Sequence, residues 1–367
     1  MNDLPIDAAP LDIDLSQFDM VIDVRPHAAT SAHLEGSSLV RLEKLLADPS
    51  STIPDTATRV LVTCDIGLRS SIAVERLRSA GYMQSTSLKG GLDAWRHAGL
   101  PVAGVDGLTT EQLDRYDRHL KLATVGAVGQ TALLNSRAVV VGAGGLGSPV
   151  VAYLAAAGVG TITIIDDDTV DSSNLQRQPI HRIEDLSSAK VDSAAAFVRS
   201  LNPDVTVETH ETRLNETNAQ ELLAEATVVV DASDNFEARY AINAAAVALS
   251  VPVVFASVYR MEGQLSVFDA TRGPCYRCVF PDVPDASIPL DCLTVGVLGS
   301  VTGILGSMQA TEAIKLIVGR GEPLIGTLVL YDGSTQEFTR LPVAKDPACD
   351  VCGTRRRTGR AGVHTSR

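Results

Sequence analysis

The sequence predicts an α/β protein of two units: a doubly wound sheet built around residues 137–168, and a smaller α/β unit ahead of it. Three observations carry this. The run RAVVVGAGGLGSPVVAYLAAAGVGTITIIDDD reads strand, glycine turn, helix, strand. Short β-branched runs alternate with helical stretches through the first hundred residues. The chain has 367 residues, enough for two or three domains, and is 45% hydrophobic and 20% charged, the balance of an ordinary globular protein.

Bulk properties exclude several classes. No apolar run approaches the ~18 residues a membrane helix needs. The start, MNDLPIDAAPLDIDL, is acidic and lacks the charged-then-apolar order of a signal peptide. The expectation is a cytoplasmic protein with no membrane partner. A net charge of −13 argues against nucleic acid as a partner, and the basic tail 354–367 reads as a solvated, disordered end. A disulfide framework is not expected in a cytoplasmic chain, so each of the six cysteines needs another use.

In the first unit, 20–23 (MVID), 59–63 (RVLVT) and 85–88 read as strands. Cys64 follows the second strand and opens the loop Cys64-Asp65-Ile66-Gly67-Leu68-Arg69. Ser70 is expected to cap a helix running to about 80. Gly90-Gly91 precedes a helix with Trp95. A cysteine at a strand end, beside a helix N-terminus and a nest of loop N–H groups, suits a thiolate and a bound anion; Asp65 beside it works against this. Two chemistries use such a loop, phosphate-ester cleavage and sulfur transfer. Only four residues separate Cys64 from Arg69, one fewer than a cysteine phosphatase needs, and the smaller ring suits a persulfide sulfur. With VIDVRPHAATSAHLEG before it and LKGGLDAWRHAGLPV after it, the stretch resembles the rhodanese family. The resemblance implies a rhodanese-like sulfurtransferase domain over 1–105, with Cys64 carrying the sulfane sulfur. The competing reading is a silent rhodanese fold used only for docking.

After a linker at 106–112, the stretch GLTTEQLDRYDRHLKL reads as helical, with Arg115 and Arg118 on a solvated basic face. Residues 138–141 form the next strand, Gly142, Gly144 and Gly147 the G-x-G-x-x-G turn, about 146–157 a small apolar helix stopped by Gly158 and Gly160, and 161–165 a second strand ending at Asp166. This arrangement places phosphates over a helix N-terminus and an acid beside a ribose. The glycine spacing alone says adenine nucleotide and no more. A dehydrogenase has no use for the polar segment Ser172-Ser173-Asn174-Leu175-Gln176-Arg177-Gln178 after its second strand. A triphosphate has: Arg177 offers a planar fork and Lys190 a point charge. A strand at 227–231 leads into Asp231-Ala232-Ser233-Asp234-Asn235, with Arg239 one turn on, where a carboxylate can hold Mg²⁺ beside phosphates.

The segments RYDRHLKL, GAGGLGS, DDDTVDSSNLQRQ, AKVDSA, DASDN, YRMEGQLSVF, PCYRCVF and CDVCG stand in the order found in the MoeB/ThiF family, bacterial relatives of ubiquitin-activating enzymes, and the chain resembles that family over 113–353. The resemblance implies a Rossmann-like mixed sheet with an ATP site. It implies that Gly145, Asp166, Ser173, Asn174, Arg177, Lys190, Asp234 and Asn235 bind ATP, Asp166 on the ribose and Asp234 on Mg²⁺. It also implies a homodimer in which Arg118 is supplied by the partner subunit, against the bland reading of that face.

Cys275-x-x-Cys278 and Cys349-x-x-Cys352 form a pair of pairs suited to a closed, structural Zn²⁺ site. Cys292 lies in FPDVPDASIPLDCLTVGVLGS, where the family has a crossover loop over the partner's tail. It is either a thiol that takes part in the reaction or a small half-buried apolar residue.

The implied activity is adenylylation of the C-terminal glycine of a ubiquitin-fold sulfur carrier ending in Gly-Gly, followed by sulfur transfer from a Cys64 persulfide. Cys64, Cys292, Arg118 and Asp234 are the catalytic candidates. The persulfide donor would be an enzyme such as a cysteine desulfurase. Molybdopterin synthesis is the first pathway, with thiamine, cysteine and tRNA-thiolation carriers as alternatives. An NAD-dependent oxidoreductase fused to a rhodanese would leave the SSNLQR and DASDN segments idle, and the near-complete set of charged site residues argues against a non-catalytic carrier-binding module. One departure stands out: two-domain members of the family usually carry the rhodanese unit after the zinc cysteines, and here it comes first.

Overall fold

The computed structural model describes residues 5–25, 33–103, 108–282 and 296–353. Cys292 with its loop, the first two residues of the linker and the basic tail lie outside the described residues. The chain divides into two compact units, Met1–Thr131 and Ala132–Arg367.

In the first unit, β1 (Asp7–Ala8), β2 (Met20–Asp23), β3 (Ser37–Leu39), β4 (Val60–Thr63) and β5 (Ser85–Leu88) form a parallel sheet in the order β1-β5-β4-β2-β3. Strand alternation sends successive side chains into two cores. Val21, Leu61, Leu88, Leu92 and Trp95 fill one, while Ile22, Val24, Val60, Val62, Ala73, Val74 and Leu77 fill the other. Ser70 does not cap the helix, which spans Leu68–Ser79 and starts from Gly67 at φ 88°. The left-handed turn at Gly67 brings the chain into the helix earlier than a serine cap would, and Ser70 is buried inside it. The stretch around Arg118 folds as two short helices, Thr110–Arg115 and Asp117–Leu120, broken at the buried Tyr116. Thr109 and Gln112 form a capping box ahead of them. Leu113 and Leu120 pack into the Trp95 core, and Arg96 bridges Asp114 and Asp117 at 3.3 and 2.8 Å.

The second unit holds β6 (Arg137–Val141), β7 (Thr161–Ile165), β8 (Thr206–His210), β9 (Val228–Asp231), β10 (Val253–Tyr259), β11 (Glu262–Phe268), β12 (Thr327–Asp332) and β13 (Glu337–Pro342). Their order is β13-β12-β11-β10-β9-β6-β7-β8. The strands from β10 to β8 are parallel, and β11, β12 and β13 are added beyond β10, each antiparallel to its neighbour, which makes the sheet mixed. Unbroken apolar runs mark its centre: Ala138, Val139, Val140, Val228, Val229 and Val230 are buried, as strands covered on both faces require. The chain runs outward from β6 to β7 and β8, then returns to β9 on the other side. The strand order therefore reverses between β6 and β9, where open α/β sheets leave a crevice at the strands' carboxyl ends.

Candidate nucleotide site, sulfur loop and cysteine cluster

The glycine turn is built by close approach. Gly142 has φ 98°, and a Cβ there would lie 2.6 Å from the Ala232 carbonyl. A Cβ on Gly147 would lie 1.9 Å from the Gly142 carbonyl, so the helix Gly147–Ala157 can start against the turn only with glycine at that position. Gly158, left-handed at φ 79°, ends that helix as the sequence predicts.

At the reversal of strand order lies a cavity of about 420 Å³. Seven of the eight residues expected at an ATP site line it: Gly145, Asp166, Asn174, Arg177, Lys190, Asp234 and Asn235. Ser173 does not; it is exposed, and its N–H donates to the Asp171 carboxylate at 2.8 Å. Asp166 accepts the N–H of Ala143 at 2.7 Å and of Asp168 at 2.9 Å. Burial raises its carboxyl above the ordinary value, against the pull of Lys190. Lys190 opens the helix Lys190–Leu201, is buried, and pairs with Asp168 at 2.7 Å. Asn235 caps the helix Phe236–Leu249 by accepting the Ala238 N–H at 2.9 Å. Asp234 is exposed to the cavity, whereas neighbouring Asp231 is wholly buried, its carboxyl pushed up by burial with Arg239 opposing.

Sequence reasoning missed Gln178, Tyr276 and Phe280, which also line the cavity. Gln178 is 3% exposed and its Oε1 has no partner among the described residues. Tyr276 sits between two of the cluster cysteines, a position legible in PCYRC, and burial pushes its hydroxyl up to about 12. Arg239 lies 5.2 and 5.5 Å from the Phe236 and Phe255 ring centres and donates to the Ser233 carbonyl at 3.1 Å. Arg118 belongs to the first unit, is 87% exposed at its side chain, and pairs with Asp117 at 3.1 Å.

In the first unit, Cys64 is buried at the end of β4, with Sγ 3.5 Å from the Ser70 hydroxyl. The double glycine has its reason here. The N–H groups of Leu92 and Asp93 donate to the carbonyls of Cys64 and Asp65 at 2.8 and 3.0 Å, and a Cβ on Gly91 would lie 2.4 Å from the Cys64 carbonyl. Asp65, adverse to a thiolate when read alone, faces Arg25 at 3.8 Å and Arg69 at 3.9 Å.

The sulfurs of Cys275, Cys278, Cys349 and Cys352 lie within 4.8 Å of one another. Cys275 Sγ lies 3.8 and 3.7 Å from those of Cys278 and Cys349, the ~3.8 Å edge of a tetrahedron with Zn–S bonds of ~2.3 Å, and the Cys278–Cys352 pair is closer, at 3.3 Å. Burial and the neighbouring sulfurs raise Cys275 well above its ordinary value, and burial pushes Cys352 up to about 11. Four thiolates cannot coexist there without a cation, so the donor set fits Zn²⁺. The Asp346 N–H donates to Cys278 Sγ at 3.4 Å, as outer-shell donors to metal thiolates do. Among the described residues no helix is long and apolar enough to cross a membrane.

Fold and cavity together define a Rossmann-like nucleotide-binding enzyme joined to a rhodanese-like unit. The chain belongs to the ThiF family, whose model matches residues 116–351, and a rhodanese-like domain model matches residues 8–98. ThiF family membership implies use of ATP. The chain is 50% identical over 246 residues to the SAMP-activating enzyme E1 of Haloferax volcanii, covering 67% of this chain and 91% of that protein. It is 45% identical over 250 residues to the sulfur carrier protein adenylyltransferase of Thermus thermophilus, covering 67% and 92%. It is 44% identical over 251 residues to the probable adenylyltransferase/sulfurtransferase MoeZ of Mycobacterium tuberculosis, covering 67% of this chain and 64% of that one. Among solved structures, MccB of E. coli superposes with a TM-score of 0.60 at 22% identity, covering 70% of this chain and 77% of that one, which supports the fold.

Proposed function

We propose that the chain activates the C-terminal glycine of a ubiquitin-fold sulfur carrier with ATP and converts it to a thiocarboxylate. The carrier's carboxylate attacks the α-phosphorus of ATP, pyrophosphate leaves, and an acyl-adenylate results. Arg177, Lys190 and Asp166 line the cavity; the two cations would hold the phosphates and Asp166 the ribose. Positioning and charge stabilisation carry such a step. Asp234 would hold Mg²⁺, which when bound neutralises phosphate charge. A Cys64 persulfide then attacks the acyl carbon, AMP leaves, and an acyl-disulfide forms. A second thiol, for which Cys292 is the candidate, attacks Cys64 sulfur, releases the carrier thiocarboxylate and leaves a Cys64–Cys292 disulfide for a reductant to reopen. Arg118 of a partner subunit would complete the charge around the phosphates in a homodimer. Cytoplasmic location and a cysteine desulfurase as donor fit this chemistry.

The observation that carries the reading is one chain holding both parts: a cavity at the strand-order reversal with the acid, arginine and lysine of an ATP site, and a loop cysteine framed as a rhodanese thiol. The carrier of molybdopterin synthesis is the first candidate, ahead of thiamine, cysteine and tRNA-thiolation carriers. The test is a panel of Gly-Gly carriers incubated with ATP and a persulfide donor, with products weighed for the oxygen-to-sulfur change. Cys64→Ala should keep ATP–pyrophosphate exchange and lose thiocarboxylate. Thiocarboxylate made at the normal rate by Cys64→Ala would sink the relay, and no exchange with any carrier would sink the adenylation.

A further inference from the structure

His181 is 4% exposed and does not line the cavity, yet both its nitrogens are engaged. Nε2 lies 3.0 Å from the Ala143 carbonyl oxygen, inside the glycine turn. Nδ1 lies 2.8 Å from the Ser193 hydroxyl, which lies 2.8 Å from Asp185 Oδ2. A carbonyl only accepts, so Nε2 carries a proton. Ser193 has a single proton to place. Given to Asp185, it leaves Nδ1 protonated and the ring cationic; given to Nδ1, it leaves the ring neutral, the form that burial and Lys190 favour and Asp185 opposes. Nε2 keeps its proton in both arrangements.

The consequence falls on two successive peptide planes. The Ala143 N–H is held by Asp166 at 2.7 Å, which fixes the plane before Ala143. The Ala143 carbonyl is held by His181, which fixes the plane after it. No peptide among the described residues is cis, and in a trans peptide C=O and N–H point in opposite directions. The Gly144 N–H therefore points away from His181, and Gly144 lines the cavity. We propose that His181 is a positioning residue of the nucleotide site, which by gripping the Ala143 carbonyl holds the Gly144 N–H ready for an ATP phosphate. Ser193 ties the same ring to the helix that Lys190 opens, so turn and lysine are set together. This rests on the ATP-dependent reading above.

The test is ATP binding by calorimetry to the full chain and to His181→Ala, His181→Asn and His181→Gln, with thermal melting alongside. A glutamine amide reaches the place of Nε2; an asparagine amide reaches only that of Nδ1. Loss of the grip should weaken ATP binding about tenfold in the Ala and Asn variants, while Gln stays within about threefold of the wild type. Equal binding by all four proteins, or Gln as weak as Ala at matched melting temperature, would overturn the proposal. Should the variants fail to fold, amide exchange in the unaltered protein decides: ATP should slow exchange at Gly144, and no slowing overturns the assignment. A wild-type chain that binds no ATP would overturn the adenylation reading and this inference with it.

Discussion

Gly91 shows how much of the sulfur site hangs on single atoms. It has φ 62°, and a Cβ there would strike the Cys64 and Asp65 carbonyls at 2.4 and 2.5 Å. Gly91→Ala should therefore displace the loop and cut sulfur transfer more than ~10-fold, since small misplacements of reacting groups cost that much or more. ATP binding, measured in parallel, should be unchanged. Asp231 gives a pH signature. Its folded carboxyl lies above the ordinary value, so the native chain binds more protons there than the unfolded one. That contribution is present at acid pH and is lost as pH rises through the raised folded value. Asp231→Asn keeps an acceptor for the Ser233 N–H and hydroxyl, which lie 3.1 and 2.6 Å from Oδ1. Denaturant unfolding should show its stability gaining on the wild type from pH 4 to pH 8. A difference that shrinks over that range would contradict the assignment.

At the scale of elements, the cysteine cluster and the cavity share a helical turn. Tyr276–Val279 carries Cys278, follows Cys275, and puts Tyr276 into the cavity. The Tyr276 ring also packs against Phe255 and Phe280, tilted, and against Phe268, edge to face, with ring centres 5.2, 4.8 and 5.5 Å away. Cys278→Ser should lose its metal, one Zn²⁺ per chain by elemental analysis, and lower the melting temperature by roughly 10 °C, about 3 kcal/mol for a unit of this size. Nucleotide affinity should fall with it, because the turn that carries Tyr276 loses its anchor. The glycine turn is the other element under constraint: Gly147→Ala, forced against the Gly142 carbonyl, should destabilise by about 3 kcal/mol in urea unfolding. These elements are legible without the fold. The β-branched strands, the G-x-G-x-x-G spacing and the paired Cys-x-x-Cys motifs are local patterns with local causes. The start of the helix after Cys64 is not, because Ser70 looks like a cap until Gly67 is seen in its left-handed turn.

For the whole molecule, the question is how sulfur on one unit meets a carbonyl activated on the other. The rhodanese-like unit precedes the ThiF unit in this chain, at residues 8–98 against 116–351, and the relay runs either within one chain or across two. Mixed dimers of Cys64→Ala and Asp234→Ala chains discriminate. If the relay crosses the dimer, mixing should restore about a quarter of the wild-type activity where the two exchange freely, since half the dimers are mixed and each has one working site of two. If each chain serves itself, mixing should restore none. The same preparation, sized by light scattering, tests the homodimer that a partner-supplied Arg118 requires.

The sequence by itself determined the two α/β units, the cysteine tetrad, the loop that opens at Cys64 and seven of the residues that line the cavity, because each is written in spacing, turn chemistry or an ordered set of motifs. Only the tertiary structure brought in Tyr276, Gln178 and His181 and left Ser173 outside the lining. His181 meets the Ala143 carbonyl and Tyr276 the Phe255 ring across the fold. Such contacts join residues far apart in the chain, and no local pattern records them.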